Sequence, residues 1–252
     1  MATLRRMSPV LLAFDTSTEA LSVALCWAGG QQAWNGEGGA QASATLLPRG
    51  RALMVEAGLR WPDLDAVAFG RGPGAFTGLR TACSVAQGLA LGAGRPVLPI
   101  DSLMIVAEDA RAQALSVTDC GPEEFDIGVA MDARMGELYA ARYRWDGARW
   151  GVVVAPALCD PAALPGLWAT GEPPPVLAGS GLHLLPAAWC GQARRWQQTA
   201  DRAAALLRLA QAAWADGQVV DAAQALPFYL RDKVALTTAE RAAQRGPTAA
   251  SA

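Results

Sequence analysis

Residues with the potential for chemistry concentrate in three turns of this 252-residue chain. They are Asp15-Thr16-Ser17-Thr18, the glycine-rich run from Gly70 to Thr81, and Asp132-Ala133-Arg134-Met135-Gly136. The glycine run follows the apolar stretch Ala66–Phe69 and precedes an alanine-rich helical segment. It reads as a strand-loop-helix junction whose helix N–H groups face the loop, so phosphate binding is the first chemistry to test. Walker A requires a lysine after its second glycine, but the chain reaches Thr77 five residues after Gly72 with no lysine following. The dinucleotide fingerprint G-x-G-x-x-A fits Gly70, Gly72 and Ala75, with Asp101 ending a later apolar run. Pro73 and Gly74, however, sit where that helix should already have begun. A helix with Thr77 as N-cap and Gly78 first inside fits better.

The remaining reactive residues are sparse. His183 is the only histidine and follows Gly179-Ser180-Gly181, without the strand-elbow-helix context of a nucleophilic serine. Five cysteines lie more than thirty residues apart, never in C-x-x-C spacing, and read as small buried hydrophobes. A net charge of −2 gives no electrostatic footprint for nucleic acid, so RNA contact needs a local patch or a basic partner. The 52% hydrophobic content is ample for a packed core, yet no eighteen-residue apolar span occurs, and a cytoplasmic location is expected.

The elements that must position these turns can be read in order. Strands at Val10–Phe14 and Ala20–Trp27 form a hairpin around the Asp15 turn, and Gln31–Asn35 adds a third strand. Ser43 caps a helix to Ala57 containing Pro48, Ala66–Phe69 is a strand, and a helix runs from Gly78 to about Leu91. That last helix carries apolar or small residues on nearly every face, which demands cover on more than one side. A strand at Pro96–Ile100 and a Ser102-capped helix to about Leu115 complete the order βββαβαβα of a ribonuclease H-like lobe. A polar boundary at residues 117–124 precedes a second meander at Ile127–Met131, Glu137–Trp145 and Gly151–Leu158, so the halves read as related folds. Five prolines make Pro161–Pro175 irregular, Val176–Gly179 is a short strand, Ala200–Ala215 a helix, and residues 236–252 a frayed tail.

The strings Phe14-Asp15-Thr16-Ser17-Thr18, Gly72-Pro73-Gly74-Ala75-Phe76-Thr77-Gly78-Leu79-Arg80, Asp132 to Tyr139 and Pro227-Phe228-Tyr229-Leu230-Arg231 resemble the TsaB (YeaZ) family over residues 11–235. The resemblance implies two ribonuclease H-like lobes of the actin-like, sugar kinase and Hsp70 ATPase architecture. Residues 1–117 would form the first lobe, and 118–235 a second, degenerate one whose last helix can pack back on the first. It further implies a role beside a catalytic TsaD paralogue and a small ATPase, TsaE, in making threonylcarbamoyladenosine in tRNAs that read codons beginning with A. Homodimers are expected of the chain alone, tRNA contact only through the complex, no membrane contact, no tightly bound cofactor, and ATP or ADP only in the complex.

TsaD-like subunits hold a metal with an H-x-x-x-H pair on the first helix, and the matching helix here has no histidine, so no metal and no catalytic residue are expected. In nucleotide-binding members of the superfamily the first hairpin carries D-x-G-T, and Ser17 replaces that glycine. Asp15, Thr16, Ser17 and Thr18, with Asp132 and Arg134 across the cleft, are therefore candidates for a vestigial nucleotide site. Ties within each turn are the simpler use. The partner interface is expected on the Ser43 and Gly78 helices, at Leu46, Leu47, Gly78, Leu79, Ala82, Cys83, Ala86 and Ala90, with Arg71 and Arg80 as polar contacts. A small-molecule kinase is the competing reading, and a metallopeptidase is disfavoured.

Overall fold

The computed structural model describes residues 8–116, 124–169, 172–185 and 193–231. The predicted tail at 236–252, most of the 117–124 boundary, Cys120 and Cys190 lie outside these residues. The first lobe contains β1 (Leu11–Asp15), β2 (Ala20–Trp27), β3 (Gly30–Glu37), α1 (Ala42–Glu56), β4 (Ala66–Gly72), α2 (Phe76–Ala93), β5 (Val97–Asp101) and α3 (Ser102–Ser116). The second contains β6 (Phe125–Asp132), β7 (Leu138–Trp145), β8 (Trp150–Cys159), the single turn α4 (Leu164–Leu167), β9 (Val176–Ala178) and β10 (Arg194–Trp196). The chain then returns through α5 (Arg202–Ala215).

Each half builds a five-stranded mixed sheet, in the orders β3-β2-β1-β4-β5 and β8-β7-β6-β9-β10. The two orders are the same pattern. An antiparallel meander is extended by two parallel strands in both, β1 beside β4 and β6 beside β9. Alternation along β1 splits its side chains between two cores: Leu12 and Phe14 face α1 and α2, and Leu11 and Ala13 face α5. The second sheet meets α3 on one face, and among the described residues only α4 and short irregular segments cover the other, through Leu164, Trp168, Leu182 and Leu185. The second lobe is therefore degenerate, and α5, assigned by position to that lobe, packs on the first.

Three predicted helix starts are corrected. α2 begins at Phe76 with Ala75 at its N-cap, and Thr77 lies inside the first turn, where its carbonyl accepts from Thr81 Oγ1. α1 begins at Ala42 without a side-chain cap, leaving Ser43 within the helix. At α3 the capping oxygen belongs to Asp101, whose Oδ1 accepts from Leu103 N at 2.9 Å. Ser102 is turned instead toward Asp15.

The helix buried on most sides is α3, wedged between the sheets with Ile105 in one core and Leu103, Val106 and Ala110 in another. Its adjacent acids Glu108 and Asp109 are each 2% exposed. Glu108 accepts from Arg111 Nε at 2.9 Å, Trp150 Nε1 at 3.0 Å and Arg208, joining α3, β8 and α5. Burial pushes its pKa up, but the hydrogen bonds from Arg111 and Arg208 outweigh that and hold it below the ordinary 4.5. Asp109 receives the backbone N–H groups of Ala200 and Asp201 and so fixes the entry to α5.

Candidate functional site

The glycine run does not form an open cradle. β4 continues through Gly72, so the turn is only Pro73-Gly74-Ala75, and the chain itself fills the space around it. A Cβ on Gly70 would lie 1.8 Å from Asp15 Oδ1, and one on Gly78 would lie 1.8 Å from the Thr16 carbonyl oxygen. Gly74 faces the Ser17 carbonyl in the same way, and a Cβ on Gly72, whose φ is +113°, would lie 2.6 Å from Phe228 O. The hydrogen bonds agree: Ala75 N donates to Ser17 O at 2.8 Å, Phe228 N to Arg71 O at 2.7 Å, and Thr16 Oγ1 to Gly78 O at 2.6 Å. These glycines admit the Asp15 turn and the Phe228 segment, while Pro73, Gly74, Ala75 and Phe76 line the interlobe cleft.

The Asp15 carboxylate is also committed. It is fully buried, and Arg202 Nε at the start of α5 donates to its Oδ2 at 2.7 Å. The same guanidinium reaches Ser17 Oγ at 3.0 Å and Ser102 O at 3.2 Å through Nη2. Ser102 Oγ in turn donates to Asp15 Oδ1 at 3.3 Å and accepts from Gly72 N at 3.0 Å. The Asp15 carboxylate is thus satisfied within the chain by Arg202, Ser17 and Ser102. Arg202 is only 4% exposed, so the pair is a buried one that needs every partner it has. Thr18 has a local role, its Oγ1 accepting from Ala20 N at 3.2 Å.

Sequence reading missed Arg202, although a signal was present. Arg202 shares a helix face with Leu206, Leu209 and Ala213, all buried, and a charge on an apolar face needs a buried partner. Asp101, the acid that follows the dinucleotide-like glycines, accepts from Tyr143 OH at 2.7 Å across the lobes. Burial raises the Asp101 pKa, with the Tyr143 hydrogen bond opposing it, and burial beside that carboxylate pushes the Tyr143 phenol well above 10.

In the second lobe, Arg134 N donates to Asp132 Oδ1 at 2.7 Å and Asp132 N to Ser180 Oγ at 3.2 Å. Arg134 and Met135 both adopt left-handed φ values, 65° and 58°, which are costly without glycine. Arg134 extends across to Glu19 at 3.0 Å, with both side chains largely exposed. The structure therefore brings the two predicted turns to opposite walls of one cleft of about 780 Å³, lined among others by Thr18, Glu19, Phe76, Asp132, Arg134 and His183. His183 Nδ1 pairs with Ser180 O at 2.7 Å, so the histidine ties its own turn. Among the described residues, no group of three or more His, Cys, Asp and Glu side chains could hold a metal ion.

Most residues expected at the partner interface are not on the surface. Leu46, Leu79, Ala82, Cys83, Ala86 and Ala90 are at most 4% exposed, because the small residues let α2 lie close on β4 and β1. Gly78 is pressed on Thr16, and Arg71 is half-buried with its guanidinium 5.5 Å from the Phe228 ring. Leu47 is 45% exposed and Arg80 is exposed, stacked 3.8 Å over Phe76. The outward stripes are Leu47, Arg51 and Val55 on α1 and Arg80, Ser84, Gly88 and Leu91 on α2.

The model of the TsaD family, described as tRNA N6-adenosine threonylcarbamoyltransferase, matches residues 39–240. The tRNA threonylcarbamoyladenosine biosynthesis protein TsaB of Escherichia coli K12 is 32% identical over 253 residues, covering 89% of this chain and 96% of that protein. TsaB of Haemophilus influenzae is 37% identical over 161 residues, 60% of this chain and 64% of its own. The solved structure of YeaZ from Pseudomonas aeruginosa superimposes with a TM-score of 0.74 at 36% identity, covering 88% of this chain and all of that one. Both lobes of the two-lobe α/β fold are thus shared, while α1 lacks any histidine. Likeness running through both lobes, with 32% identity across nearly the full length of one TsaB, means that the chain belongs to the TsaB (YeaZ) family.

Proposed function

We propose that this chain is a non-catalytic partner subunit in the threonylcarbamoylation of tRNA adenosine, docking a TsaD-like transferase through α1 and α2. The observation that carries the reading is the Asp15–Arg202 pair: the aspartate of the D-x-G-T-like turn is already neutralised by the chain's own arginine. The exposed apolar residues Leu47, Val55 and Leu91, on helices whose inner faces are fully used by the core, support a docking role. The chain pairs with itself when alone. A TsaE-like ATPase joins the assembly, tRNA is met only through it, and ATP or ADP enters only there.

The test is reconstitution. The purified chain should co-elute with its cognate TsaD-like protein on size exclusion, and tRNA modification should require both. Full-rate modification by the TsaD-like and TsaE-like proteins without this chain would refute the proposal. Turnover of Mg-ATP by the isolated chain, abolished by Asp15→Ala, would instead support a small-molecule kinase.

A further inference from the structure

The segment Leu226–Arg231 has no regular secondary structure, yet it is held from both sides of the cleft. On the first lobe, Cys83 Sγ and Gln87 Nε2 both donate to Ala225 O, the latter at 2.9 Å. Phe228 N donates to Arg71 O at 2.7 Å, and the tight space above Gly72 fits the Phe228 carbonyl. Tyr229 packs on Phe76 with ring centroids 5.1 Å apart, and its hydroxyl accepts from Arg80 Nε at 3.2 Å. Two residues later the chain changes lobes. Arg231 pairs with Glu137 at 2.6 Å and donates to Ala133 O at 3.1 Å, and Nη1 lies 3.4 Å from Met135 Sδ.

The second-lobe end of this contact is the left-handed turn Arg134-Met135-Gly136, closed by Ala133 N to Glu137 O at 2.9 Å and Glu137 N to Arg134 O at 3.1 Å. A strained turn persists only where its surroundings over-determine it, and Arg231 binds both the carbonyl before the turn and the carboxylate after it. One nitrogen, Nη2, makes both contacts while Nη1 reaches Met135 Sδ, so the guanidinium fork touches three groups of the turn through two nitrogens where an ammonium offers only one. The other cross-cleft tie on this side, Glu19–Arg134, has side chains 79% and 73% exposed and so contributes little. Arg231 is only 16% exposed.

We infer that residues 226–231 are an interlobe clasp, with Arg231 as its latch, which fixes the width of the cleft. The first-lobe half is anchored through backbone and ring contacts, so release occurs at the Arg231 end. The clasp makes the two lobes one rigid body at the cleft, in addition to the Glu108 junction of α3, β8 and α5.

Amide hydrogen exchange and X-ray scattering on the full chain test this, using Arg231→Ala, Glu137→Gln and Arg231→Lys. In the first two variants the amides of Ala133 and Glu137, and those of Ala75 and Leu79 on the facing wall, should exchange about tenfold faster, the scale of losing one charge-assisted hydrogen bond. The radius of gyration should rise, amides of β1 should not change, and Arg231→Lys should restore the wild-type behaviour only in part. Faster exchange confined to residues 133–137, with the facing wall and the scattering unchanged, would reduce Arg231 to a local turn staple and overturn the clasp. Full restoration by lysine would overturn the role of the fork.

Discussion

Replacing Arg202 by methionine removes the cation from a carboxylate that is 0% exposed and leaves only Ser17 and Ser102 to serve it. Breaking a buried ion pair from one side costs about 3–5 kcal/mol, and the two retained hydroxyls favour the lower end, about 3 kcal/mol. For a domain of this size each kcal/mol lowers Tm by about 2–4 °C, so Arg202→Met should melt about 6–12 °C below wild type at pH 7. Asp15→Asn alone strands a guanidinium that is 4% exposed and should also be costly. The double variant removes both charges, and because a buried pair replaced as a unit is often near neutral, it should regain at least about half of the loss. Thermal melts followed by circular dichroism on all four proteins complete the cycle. An Arg202→Met loss below about 1 kcal/mol, or a double variant no better than the sum of the singles, would refute the claim that Asp15 depends on Arg202.

Glycine substitutions in α2 should have opposite signs. Gly78→Ala forces a Cβ to within 1.8 Å of a backbone oxygen and should destabilise, whereas Gly88→Ala meets nothing within 4 Å and should stabilise by about 0.4–1 kcal/mol in urea melts. Glu108 is held below its ordinary 4.5, so its contribution is fully present above the unfolded pKa and is lost as pH falls through the lowered folded value. Wild type should therefore lose stability below about pH 4.5 more steeply than Glu108→Gln, as read from urea midpoints against pH. Leu47→Asp should abolish co-elution with the TsaD-like partner while leaving Tm within about 2 °C, whereas Leu46→Asp should unfold the chain, since Leu46 is 1% exposed and Leu47 45%.

Much of the architecture was legible from local pattern. The strand pattern at Ala20–Trp27 marked β2, and the repeated meander announced the duplicated sheet that the strand orders display. β10 was missed because Arg194-Arg195-Trp196 has no strand-like alternation and is held in place by pairing with β9. The apolar helix α2 was read as a docking surface because its composition shows how many small residues it has, not which neighbour uses them. Its own sheet takes Ala82, Ala86 and Ala90, and the outward stripe is left mostly to Arg80, Ser84, Gly88 and Leu91.

By itself the sequence determined the order of most elements, the positions of the three turns and the family, because these depend on residue types a few positions apart. Tertiary structure alone decided what the charges do. Glu108 and Asp109 look like a solvated helix face, yet both are buried, since α3 lies between two sheets that only the complete fold brings together. Asp15 and Arg202 stand 187 residues apart, and no local rule could pair them. A charge can be buried only where a partner waits, and where that partner comes from is a property of the packed chain.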